Sequence, residues 1–360
     1  MNKPLLDLYS DYLLCSFGQT TATGMSQLLQ GNVSHDKITR FLAQEQWTSA
    51  QLWQLIKPIV RKVQTPDAVL IIDDSIEEKP YTDENEMVTW HFSHTDHATV
   101  KGVNFLTALY YTGTVSLPVC FELVTKDQVH EDPKTGKTSK KSALTKNDRY
   151  RKMLEACVKN DLPFRYVLND IWFASAENMR YVKLDLGKDF VMPLKSNRKL
   201  ALSLEQKQRG QYQSVESVSL EPGVRREVYL EQVPFPLMLI KEVFTNKDGS
   251  TGFLYLVTSD PTLSFEQITA IYQKRWKVEE YHKSLKQNAS LTKSPTRTVT
   301  TQTNHFFCAL CAFVKLEQLK IKTHLSHFAL KTRLYTQAVR SAYGQLQNMA
   351  VERLATAETA

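Results

Sequence analysis

Apolar and polar positions along this chain change period several times, and each change marks an element. From residue 3 to about residue 63 the apolar residues recur at helical spacing. The segments Leu5–Cys15, Thr20–Gln30, Ser34–Gln44 and Ser49–Lys62 therefore read as helices. Gly31-Asn32 is a turn signal, and Ser34 is placed to cap the helix that follows. After the linker Gln64-Thr-Pro-Asp comes a continuous apolar run, Ala68-Val-Leu-Ile-Ile, ending in Asp73-Asp74-Ser75. It predicts a buried strand tipped by carboxylates. Val103–Tyr111 and Leu117–Val124 predict two more strands, and Phe164-Arg-Tyr-Val-Leu-Asn-Asp170 a second acid-tipped one, with a helix start at Ser175-Ala-Glu-Asn. The polar, basic stretch from Val129 to Ser142 reads as a loop. Between about 200 and 261 the pattern alternates like strands at Ser214–Leu220, Arg225–Leu230, Leu237–Phe244 and Gly252–Thr258, with a hairpin signal at Lys247-Asp-Gly-Ser. Helical spacing returns in Phe265–Gln287. It continues from Thr298, where Phe306, Phe307, Leu310, Phe313, Val314 and Leu316 make an apolar face, and in the basic amphipathic Ala329–Arg340.

The stretch from Phe265 to Gln287 carries the candidate chemistry. Tyr272, Arg275, Glu279 and Lys286 are separated by three, four and seven residues, which puts them on one face of an unbroken helix. A carboxylate flanked by cations suits a divalent metal held against a phosphodiester, and a solvated face of i,i+4 ion pairs is the alternative. Either acid-tipped strand is weak by itself, because many strands end in Asp. Two of them followed by an acid on a basic helix make a more specific pattern, since α/β sheets place their chemistry at the carboxyl ends of strands. Glu280 points about 100° away from Glu279 on a helix and does not replace it.

On these residues the chain resembles the bacterial insertion-sequence transposases of the DDE type. The Tyr-x2-Arg-x3-Glu-x6-Lys spacing matches their signature at Tyr272, Arg275, Glu279 and Lys286. Asp73-Asp-Ser75 resembles their first aspartate motif, and Asn169-Asp170-Ile-Trp-Phe their second. The resemblance implies an α/β fold: an RNase H-like mixed sheet with flanking helices, an N-terminal all-helical domain and a β-rich insertion. In this chain those parts would be a DNA-binding domain over residues 1–63, a catalytic domain over 66–200 and 262–325, the insertion over 201–261, and a C-terminal helical segment over 326–360. It further implies catalysis by Asp73 or Asp74, Asp170 and Glu279, with Asp73, Asp170 and Glu279 holding Mg²⁺, for which Mn²⁺ can substitute. Tyr272, Arg275 and Lys286 would hold phosphates of double-stranded DNA. Trp276 is either a base-stacking residue or a core aromatic. The helix beginning at His35 exposes Lys37 and Arg40 in a helix-turn-helix-like arrangement, as a DNA reader or as part of a plain bundle. Some relatives stack a flipped base on a tryptophan of the insertion. Here that segment holds none, leaving Tyr212, Tyr229 or Phe253. The implied activity is cleavage at inverted-repeat ends and transfer of the 3′-hydroxyl strand to target DNA, with a homodimer in the synaptic complex. A stand-alone nuclease and a catalytically silent DNA-binding regulator are the alternatives.

Composition narrows this only mildly. A net charge of +7 and a pI near 8.9 favour an anionic partner. No apolar stretch is long and charge-free enough to span a bilayer, and the first residues lack a secretory pattern, so a cytoplasmic protein is expected. Five scattered cysteines argue against a disulfide framework. Two stretches have spacings that could suggest zinc. Cys308-Ala-Leu-Cys311, with His305 before it, lies in apolar surroundings and reads as a core helix. His91-Phe-Ser-His94-Thr-Asp96-His97 precedes a strand and serves no step of the implied chemistry.

Overall fold

The computed structural model describes residues 1–93, 97–131, 133, 136, 138–246 and 248–358. In chain order the helices are α1 (Lys3–Cys15), α2 (Ala22–Leu28), α3 (His35–Leu42), α4 (Ser49–Val63), α5 (Lys146–Lys159), α6 (Ala176–Arg180), α7 (Leu204–Gln208), α8 (Phe265–Gln273), α9 (Trp276–Asn288), α10 (Val299–Thr323) and α11 (His327–Glu358). The strands are β1 (Val69–Glu78), β2 (Thr89–Ser93), β3 (Ala98–Tyr111), β4 (Ser116–Leu123), β5 (Gln128–Glu131), β6 (Thr138–Lys141), β7 (Tyr166–Asn169), β8 (Asp189–Leu194), β9 (Lys199–Ala201), β10 (Gln213–Ser214), β11 (Arg225–Leu230), β12 (Leu237–Thr245) and β13 (Thr251–Thr258). Two compact units result, residues 47–282 and residues 1–46 with 283–360.

Residues 47–282 are built on one mixed sheet in the order β10–β9–β11–β12–β13–β8–β7–β1–β3, with β2 and β4 both pairing with β3. The centre is parallel: β1 runs beside β7, and β7 beside β8. Val69 to Ile72 and Val167 to Leu168 are fully buried, as expected of strands covered on both faces. On one face lie α4 and α5. Helix α4 buries Leu52, Trp53, Ile56 and Val60, and Ser49 exchanges hydrogen bonds with the Phe121 backbone of β4. Toward the other face, the Tyr281 hydroxyl of α9 meets Thr107 of β3 at 3.3 Å. Gly102 is needed where β3 crosses β1, because a Cβ there would strike the Glu77 carbonyl.

In the other unit, α10 buries the apolar face read from the sequence, including Phe306, Phe307, Leu310 and Phe313. His305 accepts or donates at Tyr9 (3.2 Å) and faces the Ser290 and Leu291 carbonyls. Asn304 donates to the Leu42 carbonyl. Lys315 pairs with Asp7 and Asp11 of α1.

The RNase H-like order of strands and helices is as expected, but several boundaries move. Helix α4 joins the sheet unit instead of the N-terminal helices, because its apolar stripe is covered by β4. Helix α10 clusters with α1 and α3, not with the catalytic sheet. The 201–261 insertion is no separate body: β13 pairs with β8, so the insertion widens the main sheet. Ser214–Leu220 alternates like a strand, yet residues 215–217 form a 3-10 turn with Val215 and Val218 buried. Within the expected loop after Val129, β5 and β6 form a hairpin; Asp132, Lys134, Thr135 and Lys137 lie outside the described residues, as does Lys247 of the second hairpin signal. The Phe265–Gln287 helix is broken. Lys274, Arg275, Lys277 and Val278 donate to carbonyls three residues back, a 3-10 tightening between α8 and α9.

Candidate active site

Strand register sets the first pair of carboxylates. Ile72 of β1 lies beside Asn169 of β7 in a parallel ladder, so the next residues, Asp73 and Asp170, come side by side. Only β7 ends there: β1 does not stop at Asp73 as its apolar run suggested but continues to Glu78, because β3 goes on pairing with it. The Asp170 turn is locked locally. Its Oδ1 accepts the backbone N–H of Trp172 (3.0 Å) and Phe173 (3.3 Å), an Asx turn. Behind it, the Tyr150 hydroxyl donates to Asn169 Oδ1 at 2.9 Å and the Tyr150 ring stacks on Phe173.

The alternation of a strand separates Asp73 from Asp74. Asp74 turns to the face of α5, where its Oδ2 accepts from Lys146 Nζ (2.7 Å) and Asn104 Nδ2 (2.7 Å). Asp73 turns the other way and meets Arg275, whose Nη1 lies 3.5 Å from Asp73 Oδ2 and 3.3 Å from Glu279 Oε1. One guanidinium thus bridges Asp73 and Glu279. Burial works against the Arg275 charge, yet Tyr272, Asp73 and Glu279 hold it above its ordinary value. Burial first, then Asp170 and Asp74, raise Asp73 well above the usual aspartate range, with Arg275 opposing. Asp170 is also raised, by burial and then by Asp74. These acids share one electrostatic neighbourhood and resist ionising together.

The other expected site residues fall in different places. Tyr272 is buried, its hydroxyl 3.5 Å from the Asn169 carbonyl, so the phenol braces β7 from below the site. Trp276 is 62 % exposed and lies 5.3 Å from the Arg275 guanidinium, which decides against a core aromatic. Glu280 is paired with Lys277 and plays no part in the cluster. Because of the 3-10 break, the four signature residues do not share one ideal helical face. Lys286 sits further along α9 and belongs to the other unit, as do Lys37 and Arg40, both exposed on α3. Of the two zinc readings, His91 is buried with Nε2 2.9 Å from Thr89 Oγ1, and burial followed by Lys126 and Lys146 pushes it down to about 4. His94 and Asp96 lie outside the described residues. Cys308 is fully buried on α10, as a core residue should be.

Sequence models of two families match the chain, the DDE superfamily endonucleases over residues 2–214 and the transposase DDE domain over residues 117–314. The chain belongs to the DDE transposases. Among curated proteins none matches it. Asp73 falls within the first DDE match, Asp170 within both and Glu279 within the second, so the family's span contains all three acids of the cluster.

A DDE site works with divalent metal, and the donors here suit a hard cation. Asp73 and Asp170 are adjacent carboxylates, both raised by burial and by neighbouring acids. Glu279 is linked to Asp73 through Arg275. Among the described residues no three metal-ligating side chains already converge on one point. The Arg275 guanidinium stands between Asp73 and Glu279. Sequence reading missed Lys146 and Asn104, which decide the fate of Asp74. Both are remote in sequence from it, and no local pattern marks them. Trp172 did carry a signal, a large aromatic two residues after a strand-end acid, and it is half exposed beside the site.

Proposed function

We propose that this DDE transposase cuts DNA at the inverted-repeat ends of an insertion sequence and joins the freed 3′-hydroxyl strand to target DNA, using Mg²⁺ or Mn²⁺. The observation carrying the reading is Asp73, part-way along β1, beside Asp170, just past the end of β7, with Asp73 linked to Glu279 through Arg275, in a chain of this family. Asp73, Asp170 and Glu279 would hold the metal. When bound, it supplies activation of an attacking oxygen and charge relief at a leaving oxygen. Asp74 stays outside this set, since Lys146 and Asn104 take its carboxylate.

The remaining roles belong to side chains. Arg275 Nε is buried without a hydrogen-bond partner, which supports a phosphate oxygen as its missing acceptor. Exposed Trp276 is suited to stacking on a base next to that phosphate. Lys286 is assigned a phosphate of the same DNA end, and Lys37 and Arg40 on α3 a place in DNA reading. Tyr335, Val339, Tyr343 and Leu346 form an exposed apolar stripe along α11, which supports pairing of two copies when two ends are synapsed.

Purified protein incubated with a plasmid carrying the gene's own flanking DNA tests this reading, with and without Mg²⁺ and in parallel with Glu279→Gln. Metal-dependent cuts at the element boundaries that vanish in the variant support it. Joining of a pre-cut end separates a transposase from a stand-alone nuclease. Binding of the ends with no cutting by wild type favours a regulator, and equal cutting by both proteins moves the active site elsewhere.

A further inference from the structure

Helix α5 sends Asn147, Tyr150 and Arg151 to the turn that follows β7, and their i, i+3, i+4 spacing puts all three on one helical face. That turn carries Asp170. At its far end Asn178 is fully buried. Its Nδ2 donates to the Asn147 side chain and to the Phe173 carbonyl, both at 2.9 Å, and its Oδ1 accepts from Arg151 Nη1 at 3.0 Å. At the near end Tyr150, also fully buried, donates to Asn169 Oδ1, and Asn169 Nδ2 donates to the Asp170 carbonyl at 2.7 Å. The Tyr150 ring lies against Phe173 with centres 5.2 Å apart and planes 14° from parallel. Both parts of this tyrosine therefore end on Asp170. The hydroxyl reaches it through the residue before it, and the ring through a residue whose backbone N–H holds Asp170 Oδ1. That oxygen is taken by two N–H groups, while Oδ2 accepts no hydrogen bond among the described residues. Asn169 departs from its strand's pattern. Val167 and Leu168 are apolar and fully buried, and an amide buried at the next position costs stability unless it is bonded. Residues that break a local rule in this way collect at functional sites.

We propose that Tyr150 is a positioning residue: through Asn169 and Phe173 it fixes the Asp170 carboxylate so that Oδ2 stays open to a divalent cation. The proposal rests on the metal reading of the acids given above. A loose aspartate side chain samples several rotamers, and binding a cation then has to supply the entropy of choosing one. A carboxylate already held in one orientation does not carry that cost. Hydrogen bonds behind a metal-ligating group act in this way, and losing one typically weakens metal binding by about 10–100-fold. Burial, and after it the negative charge of Asp170, hold the Tyr150 phenol above its ordinary value, so it stays protonated and keeps its bond to Asn169. Asn147 and Arg151 do the same work at the other end of the turn through Asn178, which leaves α5 gripping Asp170 from both sides along the chain.

The test is titration of the full-length protein with MnCl₂, the free ion being read by its electron paramagnetic resonance signal, beside a melting curve of each protein in EDTA. Tyr150→Phe keeps the stacked ring and removes only the hydroxyl. It should bind Mn²⁺ about tenfold more weakly than wild type. Tyr166→Phe is the comparison. It removes another buried phenol bond on β7, the one to Asp260 at 2.8 Å, and should lower Tm by a similar amount with Mn²⁺ affinity unchanged. Tyr150→Phe with Asn169→Leu takes away both polar partners, so Tm should recover in part while Mn²⁺ binding stays weak. Unchanged Mn²⁺ affinity in Tyr150→Phe, an equal loss in Tyr166→Phe, or Mn²⁺ affinity that recovers together with Tm in the double variant overturns the positioning role alone. Wild type that binds no Mn²⁺, or Asp170→Asn that binds it as wild type does, overturns the metal reading and this inference with it.

Discussion

Replacing Arg275 by Gln should destabilise the metal-free protein and make it more responsive to metal. In the structure one guanidinium lies 3.5 Å from Asp73 and 3.3 Å from Glu279. At the first distance, with an effective dielectric near 20, the gross attraction is about 5 kcal/mol. Part of that is returned when a poorly hydrated cation is removed. Breaking a buried pair from one side costs about 3–5 kcal/mol, because the remaining charge is stranded. The Glu279 contact is half exposed and adds less than about 1 kcal/mol. Asp73 has an escape, since an acid already held above its usual range takes up a proton when its partner leaves. A net loss of about 3 kcal/mol at neutral pH is therefore expected, and a smaller one in acid. For a unit of this size that corresponds to a fall in Tm of roughly 6–12 °C. Calorimetry of Arg275→Gln and wild type in EDTA, followed by titration with MgCl₂, measures it. Mg²⁺ should raise the variant's Tm more than that of wild type, because the metal takes over the counter-charge. Equal Tm values in EDTA, or equal metal responses, would refute the view of Arg275 as the internal counter-ion of the acids.

The raised Asp73 also sets a pH dependence. The folded chain holds this proton more tightly than the unfolded chain, whose value is near 3.8. Its contribution to metal-free stability is thus full below that value and is lost as pH climbs through the raised folded one. Asp73→Asn should remove that slope, and a Tm–pH series in EDTA for both proteins shows whether it does. Asp74→Asn should cost about 1–3 kcal/mol through the lost Lys146 and Asn104 contacts while keeping plasmid nicking within about tenfold. Asp73→Asn should lower nicking by about 10²–10³, and equal losses in the two variants would remove the distinction drawn between them. Val339→Glu with Leu346→Glu should leave DNA-bound protein monomeric by light scattering where wild type is a dimer. Wild type that stays monomeric on DNA would refute the α11 pairing.

How far the sequence reached differs between elements. The period of Ala68–Ile72 and of Tyr166–Asn169 sufficed to place two buried strands, because a continuous apolar run closed by a polar pair has few other uses, but it ended the first too early: β1 runs on through Asp73 and Asp74 to Glu78. The Tyr272–Lys286 spacing pointed to Glu279 as a candidate acid and to the DDE transposases, the family to which the chain belongs. The same spacing overstated the helix. Nothing in Gln273-Lys-Arg-Trp breaks a helix locally; the 3-10 tightening lies where Tyr272 reaches the Asn169 carbonyl and Arg275 reaches Asp73. The different surroundings of Asp73 and Asp74 were likewise beyond local reading. Alternation puts the two on opposite faces, but which face receives α5 with Lys146 and which receives Arg275 depends on packing between residues more than seventy positions apart.

Domain limits show the same division. Helix α4 reads as one more N-terminal helix, since its own pattern only says that it has an apolar side. Its assignment follows from β4, which covers that side. The strands of the β-rich insertion read without a neighbour, since period two says nothing of what a strand pairs with, and β8 supplies that neighbour. By itself, then, the sequence determined most of the helices and strands, the acids that follow their apolar runs, and the family to which the chain belongs. Those are properties of short windows of chain, fixed by periodicity and by the local geometry of turns. Only the tertiary structure decided which acid faces which cation, where the helix bends, and that Trp172 stays half exposed beside Asp170. Each of these is a balance of burial and charge between distant residues, and no window of sequence contains both sides of it.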